Sequence, residues 1–228
     1  MMPLRFFFSA TQNAWLTAIR TCCTRFQVAL VLPSENEASC FLGNGATGRV
    51  FKVRTASNTE HVLKVSLNGK GCTRIAAELY KFNNHKGSLL VAKATVMIHC
   101  EYVDSTQHFA GLLVSPVGQR LPDTKKAITS AIEGLLRLAQ AGLHHGDARR
   151  DNVVWVGDQA LWVDFECMSA VEAGMHTAMF AQDVFTFARS YIILQTDGIQ
   201  AAVAAYMEGP DTVAAVVELF QSTWSRSK

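Results

Sequence analysis

No apolar run in the 228 residues approaches the roughly 20 needed to cross a bilayer as a helix, so no membrane partner is expected. A basic block is also missing. Lys and Arg number 21 against 19 Asp and Glu, a net charge of +2, which gives no case for nucleic-acid binding. None of the six cysteines forms a C-x-x-C pair, and no Cys/His group has zinc spacing. At this density a disulfide framework is not expected, and free thiols in a reducing compartment are. Residues 1–34 contain no Asp or Glu but do contain Arg5, Arg20 and Arg25. An acid-free, Arg-bearing start has three readings: a mitochondrial transit peptide, a helix capping the domain, or a poorly ordered extension. Phe6-Phe7-Phe8 is too short for a secretory apolar core. Repeats and low-complexity segments are absent.

What remains is a globular composition, 49% hydrophobic and 18% charged, enough for one sizeable core. Pro33-Ser34-Glu35-Asn36-Glu37 is polar and turn-rich and marks the best boundary, with 1–37 an extension of unknown role and 38–228 the domain. From 38 to 118 the pattern is strand-rich. Residues 49–54 and 61–65 alternate with period two around a polar turn at 57–59, as a hairpin does. Cys72 to Phe82 has helical spacing, Leu89 to His99 and Phe109 to Val114 read as strands, and Asp123 or Thr124 caps a helix bearing Ile128, Ile132, Leu135, Leu136 and Ala139. Val153–Val156 and Leu161–Val163 predict a hairpin, followed by a helix over 181–194 and two shorter ones.

Two polar motifs stand inside this pattern. Gly43-Asn44-Gly45-Ala46-Thr47-Gly48-Arg49-Val50 reads G-x-G-x-x-G-x-V, and it lies between two strands rather than between a strand and a helix. Further on, His145-Gly146-Asp147-Ala148-Arg149-Arg150-Asp151-Asn152 puts an Asp and an Asn in one loop, with Asp164-Phe165 downstream. Polar loops of this kind are often only turns. Here a lone Lys64 in the apolar run 62–65, and then Glu78 in a helical stretch, fall between the two motifs.

Glycine loop, strand lysine, helix glutamate, Asp, Asn and second Asp follow the order of the protein-kinase signature, and from about Leu42 to Ile193 the chain resembles the protein kinase-like superfamily. The resemblance implies an α+β, bilobal kinase-like fold with an antiparallel-sheet N-lobe (38–114), a hinge (115–118) and a reduced helical C-lobe (119–228). It implies an ATP-binding transferase using Mg²⁺. Gly43, Gly45, Gly48 and Val50 would lie over the nucleotide, Lys64 would reach the α- and β-phosphates and pair with Glu78, and the backbone of Ser115 and Val117 would face the adenine, with Val114 as gatekeeper. Asp147 would orient the acceptor hydroxyl and take its proton, Arg149 would neutralise phosphoryl charge, and Asn152 and Asp164 would hold Mg²⁺. His145 would pack beside the metal loop. Asp183 would either hold the catalytic-loop backbone or serve as a simple helix N-terminal carboxylate.

The chain departs from the pattern at several points. Gly146 stands where protein kinases have Arg, which removes the partner of a phosphorylated activation loop. The H-G-D form is shared with aminoglycoside and choline phosphotransferases and with small atypical kinases. Glu166 replaces the Gly of D-F-G, and no A-P-E motif occurs in the short stretch to Asp183. The H-G-D loop with a D-F-E ending is also similar to kinase-like domains of fungal and oomycete Crinkler-type proteins. The resulting expectation is a small atypical protein kinase phosphorylating a Ser/Thr hydroxyl. The alternatives are a small-molecule phosphotransferase and a non-catalytic, ATP-binding pseudokinase. The expected location is intracellular and cytoplasmic, with mitochondrial import or secretion into a host cell as the other readings.

Overall fold

The computed structural model describes residues 10–31, 40–45, 48–67, 69–92, 109–172 and 174–191. The chain divides into two compact units, one of Met1–Leu79 with Met97–Val117, the other of Tyr80–Val96 with Gly118–Lys228. Secondary structure is mixed, with antiparallel sheets and four helices among the described residues.

In the first unit, α1 (Ala10–Phe26) places Trp15, Ala18, Ile19, Cys22 and Phe26 at three- and four-residue steps, a single helical face. Gln27, at φ +53°, turns the chain into β1 (Val28–Leu30). β2 (Phe41–Asn44), β3 (Gly48–Thr55), β4 (Glu60–Ser66) and, after α2 (Gly69–Ala92), β5 (Ala110–Val114) complete a five-stranded antiparallel sheet. Its order is β1-β3-β4-β5, and β2 pairs with the first half of β3 while β1 pairs with the second. Register places Phe51 opposite Leu63 and Leu63 opposite Leu113. The alternation of a strand therefore turns Phe51, Val53, Leu63, Val65 and Leu113 to one face, where they form a core with Ala18, Ile19, Cys22 and Phe26 of α1. Of the three readings of the N-terminal region, residues 10–31 fit the capping helix. The boundary at 33–37 lies outside the described residues.

The helix expected over 72–82 is longer than its sequence suggested, and the strand expected from Leu89 is corrected. Residues Leu89 to Ala92 are the end of α2, while 93–99 lie outside the described residues. Asn83-Asn84-His85-Lys86-Gly87 has turn composition. Ile75, Phe82 and Leu89, all buried, nevertheless stand seven apart, which keeps one helical face in register through that run.

The second unit adds β6 (Gln119–Arg120), α3 (Lys125–Gln140), β7 (Leu143–His144), β8 (Val153–Val156), β9 (Gln159–Trp162), β10 (Ser169–Ala170) and α4 (His176–Tyr191). Thr124 caps α3, its hydroxyl accepting from Ala127 N at 3.3 Å. β6, β8 and β9 form one small antiparallel sheet, and β7 with β10 another. Trp162, fully buried, donates its indole N–H to Ala131 O of α3 at 2.9 Å and meets Phe187 of α4 edge-on at 5.4 Å. Truncating such an aromatic costs roughly 3–5 kcal/mol. α4 begins earlier than the expected 181, and residues 192–194 and the later helices fall outside the described residues.

Candidate functional site

The first unit carries the glycine hairpin and the lysine. β2 and β3 pair with Gly43 opposite Val50 and Asn44 opposite Arg49, and Gly45 N donates to Gly48 O at 2.9 Å to close the turn. The three glycines differ in what they do for the fold. A Cβ at Gly43 would meet nothing within 4 Å and at Gly45 only Gly48 O at 3.9 Å, whereas at Gly48 it would stand 2.8 Å from Val65 O. Gly48 is thus required by the close approach of β3 and β4, and Gly43 and Gly45 are not required by packing.

Lys64 lies opposite Val50 and Leu112 in the register, on the sheet face turned away from α1. Its ammonium donates to both oxygens of Glu78 on α2, at 2.8 and 2.9 Å. The Glu78 side chain is 5% exposed and that of Lys64 18%. The strand position and the helix position, far apart in sequence, therefore meet in a largely buried, two-pronged ion pair. Val114 is buried at the end of β5, and Ser115 and Val117 after it are half-buried.

The second unit carries the carboxylates. The loop after β7 is held from below by Asp183 in the middle of α4, whose two oxygens accept from His145 N at 2.8 Å and Gly146 N at 3.0 Å. The simple helix-terminus reading of Asp183 is corrected, since it stands in the middle of α4 with its carboxylate committed to this loop. His144 Nε2 lies 3.1 Å from Asp183 Oδ1 but off the line of a hydrogen bond. The buried His145 ring sits between Trp162 and Phe165, at 5.1 and 5.4 Å, its Nε2 3.1 Å from Val163 O and its Nδ1 3.4 Å from Asp147 N. The backbone N–H of Asp147 can only donate, so Nδ1 accepts and Nε2 carries the proton toward Val163 O. Burial holds this imidazole below its usual range against the opposing pull of Asp183, Asp164 and Asp147.

Asp147 and Asn152 face each other across the loop. Asn152, buried in the 3-10 turn Arg150–Asn152, donates Nδ2 to Asp147 O at 2.8 Å and Oδ2 at 3.0 Å. The same Oδ2 accepts from Arg149 at 2.6 Å, and this bond raises the guanidinium above its ordinary value. Asp164 adopts the left-handed region, φ +67° and ψ 62°, which Asp tolerates better than most residues and which is frequent at functional positions. The Cys167 thiol is raised first by burial and then by Glu166, Asp147 and Asp164, so these three carboxylates share one acidic neighbourhood.

Two features were not read from the sequence. Gly146 has φ +79°, and a Cβ there would stand 2.5 Å from Cys167 O. The loop and the turn Phe165–Cys167 touch backbone to backbone, so no side chain fits at Gly146 without displacing a carbonyl. Arg150 reaches Leu121 O at 3.3 Å and pairs with Asp123, while its backbone N–H donates to Ser190 Oγ at 2.8 Å. Its place beside Arg149 in a polar loop was the available signal.

Among the described residues, no group of three or more His, Cys, Asp and Glu is arranged to hold a metal ion. The donors near Asp147 are nonetheless of the kind Mg²⁺ takes, since it binds through one or two hard protein oxygens plus phosphates. Asn152 commits its Nδ2 to Asp147, so its Oδ1 is the oxygen of that amide not used in this contact. No helix among the described residues is long and apolar enough to cross a membrane.

No protein-family model and no curated protein matches the chain. Among solved structures, a crystal structure of a kinase domain is similar at 15% identity and a TM-score of 0.49, over 65% of this chain and 60% of that one. The chain thus spans about 60% of that domain's length.

Proposed function

We propose that the protein is an ATP-dependent phosphotransferase of kinase-like fold, a small atypical protein kinase that passes the γ-phosphoryl of ATP to a Ser or Thr hydroxyl. The observation that carries this reading is the Lys64 ammonium held on both oxygens of Glu78. A buried ion pair seldom adds net stability over an apolar pair, so stability alone is a weak reason to keep one. A cation fixed in a defined position is what the α- and β-phosphates need.

In this reading Gly43, Gly45 and Gly48 offer backbone N–H groups to the phosphates, and Ser115 and Val117 offer backbone groups to the adenine. Asn152 and Asp164 hold Mg²⁺, which when bound neutralises phosphate charge. Arg149 and Asn152 both occupy Oδ2 of Asp147, so Oδ1 is the oxygen that takes the acceptor proton. The acceptor oxygen bonds to the γ-phosphorus, the bond to the β-phosphate oxygen breaks, ADP leaves, and the hydroxyl proton passes to Asp147. Arg149 sits beside that carboxylate and offsets charge on the moving group.

A second reading, transfer to a small hydroxyl compound of the aminoglycoside or choline kind, is favoured by Gly146. Its contact with Cys167 O excludes the Arg through which a protein kinase responds to loop phosphorylation. Incubation of the protein with γ-labelled ATP and Mg²⁺ beside a panel of protein and small-hydroxyl acceptors separates the two. Label on protein Ser/Thr supports the kinase. Label on small acceptors alone moves the assignment to the second reading. ATP bound without transfer to either marks a pseudokinase and contradicts both.

A further inference from the structure

We propose that Trp15 and Arg49 are positioning residues through which α1 braces the glycine hairpin from behind and sets how it meets phosphate. The inference rests on the reading of that hairpin as the phosphate-binding element. It starts from the weakness of the hairpin's own support. Among the described strands β2 pairs with β3 alone, and although Phe41 meets Phe51 edge-on at 5.7 Å, Phe41 and Leu42 are still 39% and 45% exposed. Arg49 follows Gly48 directly, opposite Asn44 of β2 and Val65 of β4. By strand alternation Arg49 shares a face with Phe51 and Val53, which is the face α1 covers. Lys64 and Val50 lie on the other face.

Across that covered face the Arg49 guanidinium stands 4.4 Å from the ring centroid of Trp15, a cation–π stack. Trp15 is not a loose partner. Ala18, Ile19, Cys22 and Phe26 bury the next turns of the same helix, and Cys22 lies over Gly111 of β5. Gln27 then hands the chain to β1, where Val28 pairs with Thr55 at the far end of β3. Along α1, Trp15 and Phe26 are about 16 Å apart at 1.5 Å per residue. The helix and β1 thus grip β3 at both ends, Arg49 at the hairpin and Thr55 at the other. A shift of the hairpin root relative to the sheet has to break the Trp15–Arg49 stack. Residues 10–31 hold no carboxylate side chain, and α1 meets Arg49 with the aromatic ring of Trp15.

The test measures affinity for Mg·ATP and for adenosine in the full chain by calorimetry, with urea unfolding alongside. The variants are Trp15→Ala, Trp15→Phe, Arg49→Ala, Arg49→Lys and the double alanine variant. Either alanine variant is expected to weaken Mg·ATP binding roughly threefold or more, the double variant no further than either single one, with adenosine affinity unchanged. The Phe and Lys variants, which keep a ring and a cation, are expected to recover most of the loss. A purely structural role would not discriminate ATP from adenosine. If Trp15→Ala fails to fold, Arg49→Ala, at a half-buried position, carries the test. Wild type that binds Mg·ATP with variants that bind it equally well, or that lose adenosine to the same degree, overturns the positioning role alone. Wild type that binds no Mg·ATP overturns the phosphate-binding reading and this inference together.

Discussion

Gly146 is the residue at which the local backbone most narrowly restricts the chemistry. Its left-handed φ and the Cys167 carbonyl 2.5 Å from where a Cβ would stand leave room for hydrogen alone. Gly146→Ala is expected to cost about 2–4 kcal/mol in urea unfolding, from left-handed strain plus displacement of a backbone carbonyl. A cost within about 0.5 kcal/mol would show that the contact relaxes freely. His145 gives the pH dependence. Burial lowers its folded pKa below the ordinary imidazole value of about 6.5, so between the two values the unfolded chain binds the extra proton. Stability from this group is therefore whole above about pH 6.5 and declines as pH falls below it. Melting temperature is expected to drop from about pH 7.5 to 5.5, and less steeply in His145→Gln; an unchanged slope would remove His145 from the effect. The contacts among Asp147, Arg149 and Asn152 follow from their closeness in one polar loop, which the sequence shows directly. The reasons for Gly146 and Arg150 were not legible there, because Cys167, Asp123 and Ser190 are brought to them only by the fold.

Elements decide how the lysine is placed. Period two on β4 turns Lys64 away from α1, and α2 brings Glu78 to it. Lys64→Met leaves a buried carboxylate without this partner, and a loss of about 3–5 kcal/mol is expected. The double variant Lys64→Met/Glu78→Leu is expected to recover much of that stability and none of the activity. Recovery of both would make the pair structural. The docking of α1 has its own chemical probe in Cys22, whose thiol is pushed up to about 12, chiefly by burial. At pH 8 its thiolate fraction is on the order of 10⁻⁴, so native Cys22 is expected to resist iodoacetamide and to label only on unfolding. Rapid native labelling would mean that α1 leaves the sheet. The hairpin of β3 and β4 and the capped α3 could be read in advance because each follows its own period. The length of α2 could not, since the polar run Asn83–Gly87 resembles a turn and the burial of Leu89 overrides it.

For the whole molecule, the two units contribute different halves of the proposed chemistry. The first carries the glycine hairpin and the Lys64–Glu78 pair, the second Asp147 and Asn152 on a loop held by Asp183, with Asp164 after β9. The units do not follow sequence order, since the first takes Met97–Val117 after the second has taken Tyr80–Val96, a return that no motif in the chain marks. Which hydroxyl accepts the phosphoryl was not legible, since acceptor recognition depends on surfaces that no short motif encodes. The central claim is that γ-phosphate leaves ATP by the action of Asp147. The measurement is total release of γ-label from ATP, to protein, small acceptor or water, by wild type and Asp147→Ala with and without Mg²⁺. The account predicts Mg²⁺-dependent release by wild type and a loss of a hundredfold or more, on the order expected for general-base catalysis, in Asp147→Ala, with ATP still bound. Equal release by the two proteins, or none by wild type, would contradict it.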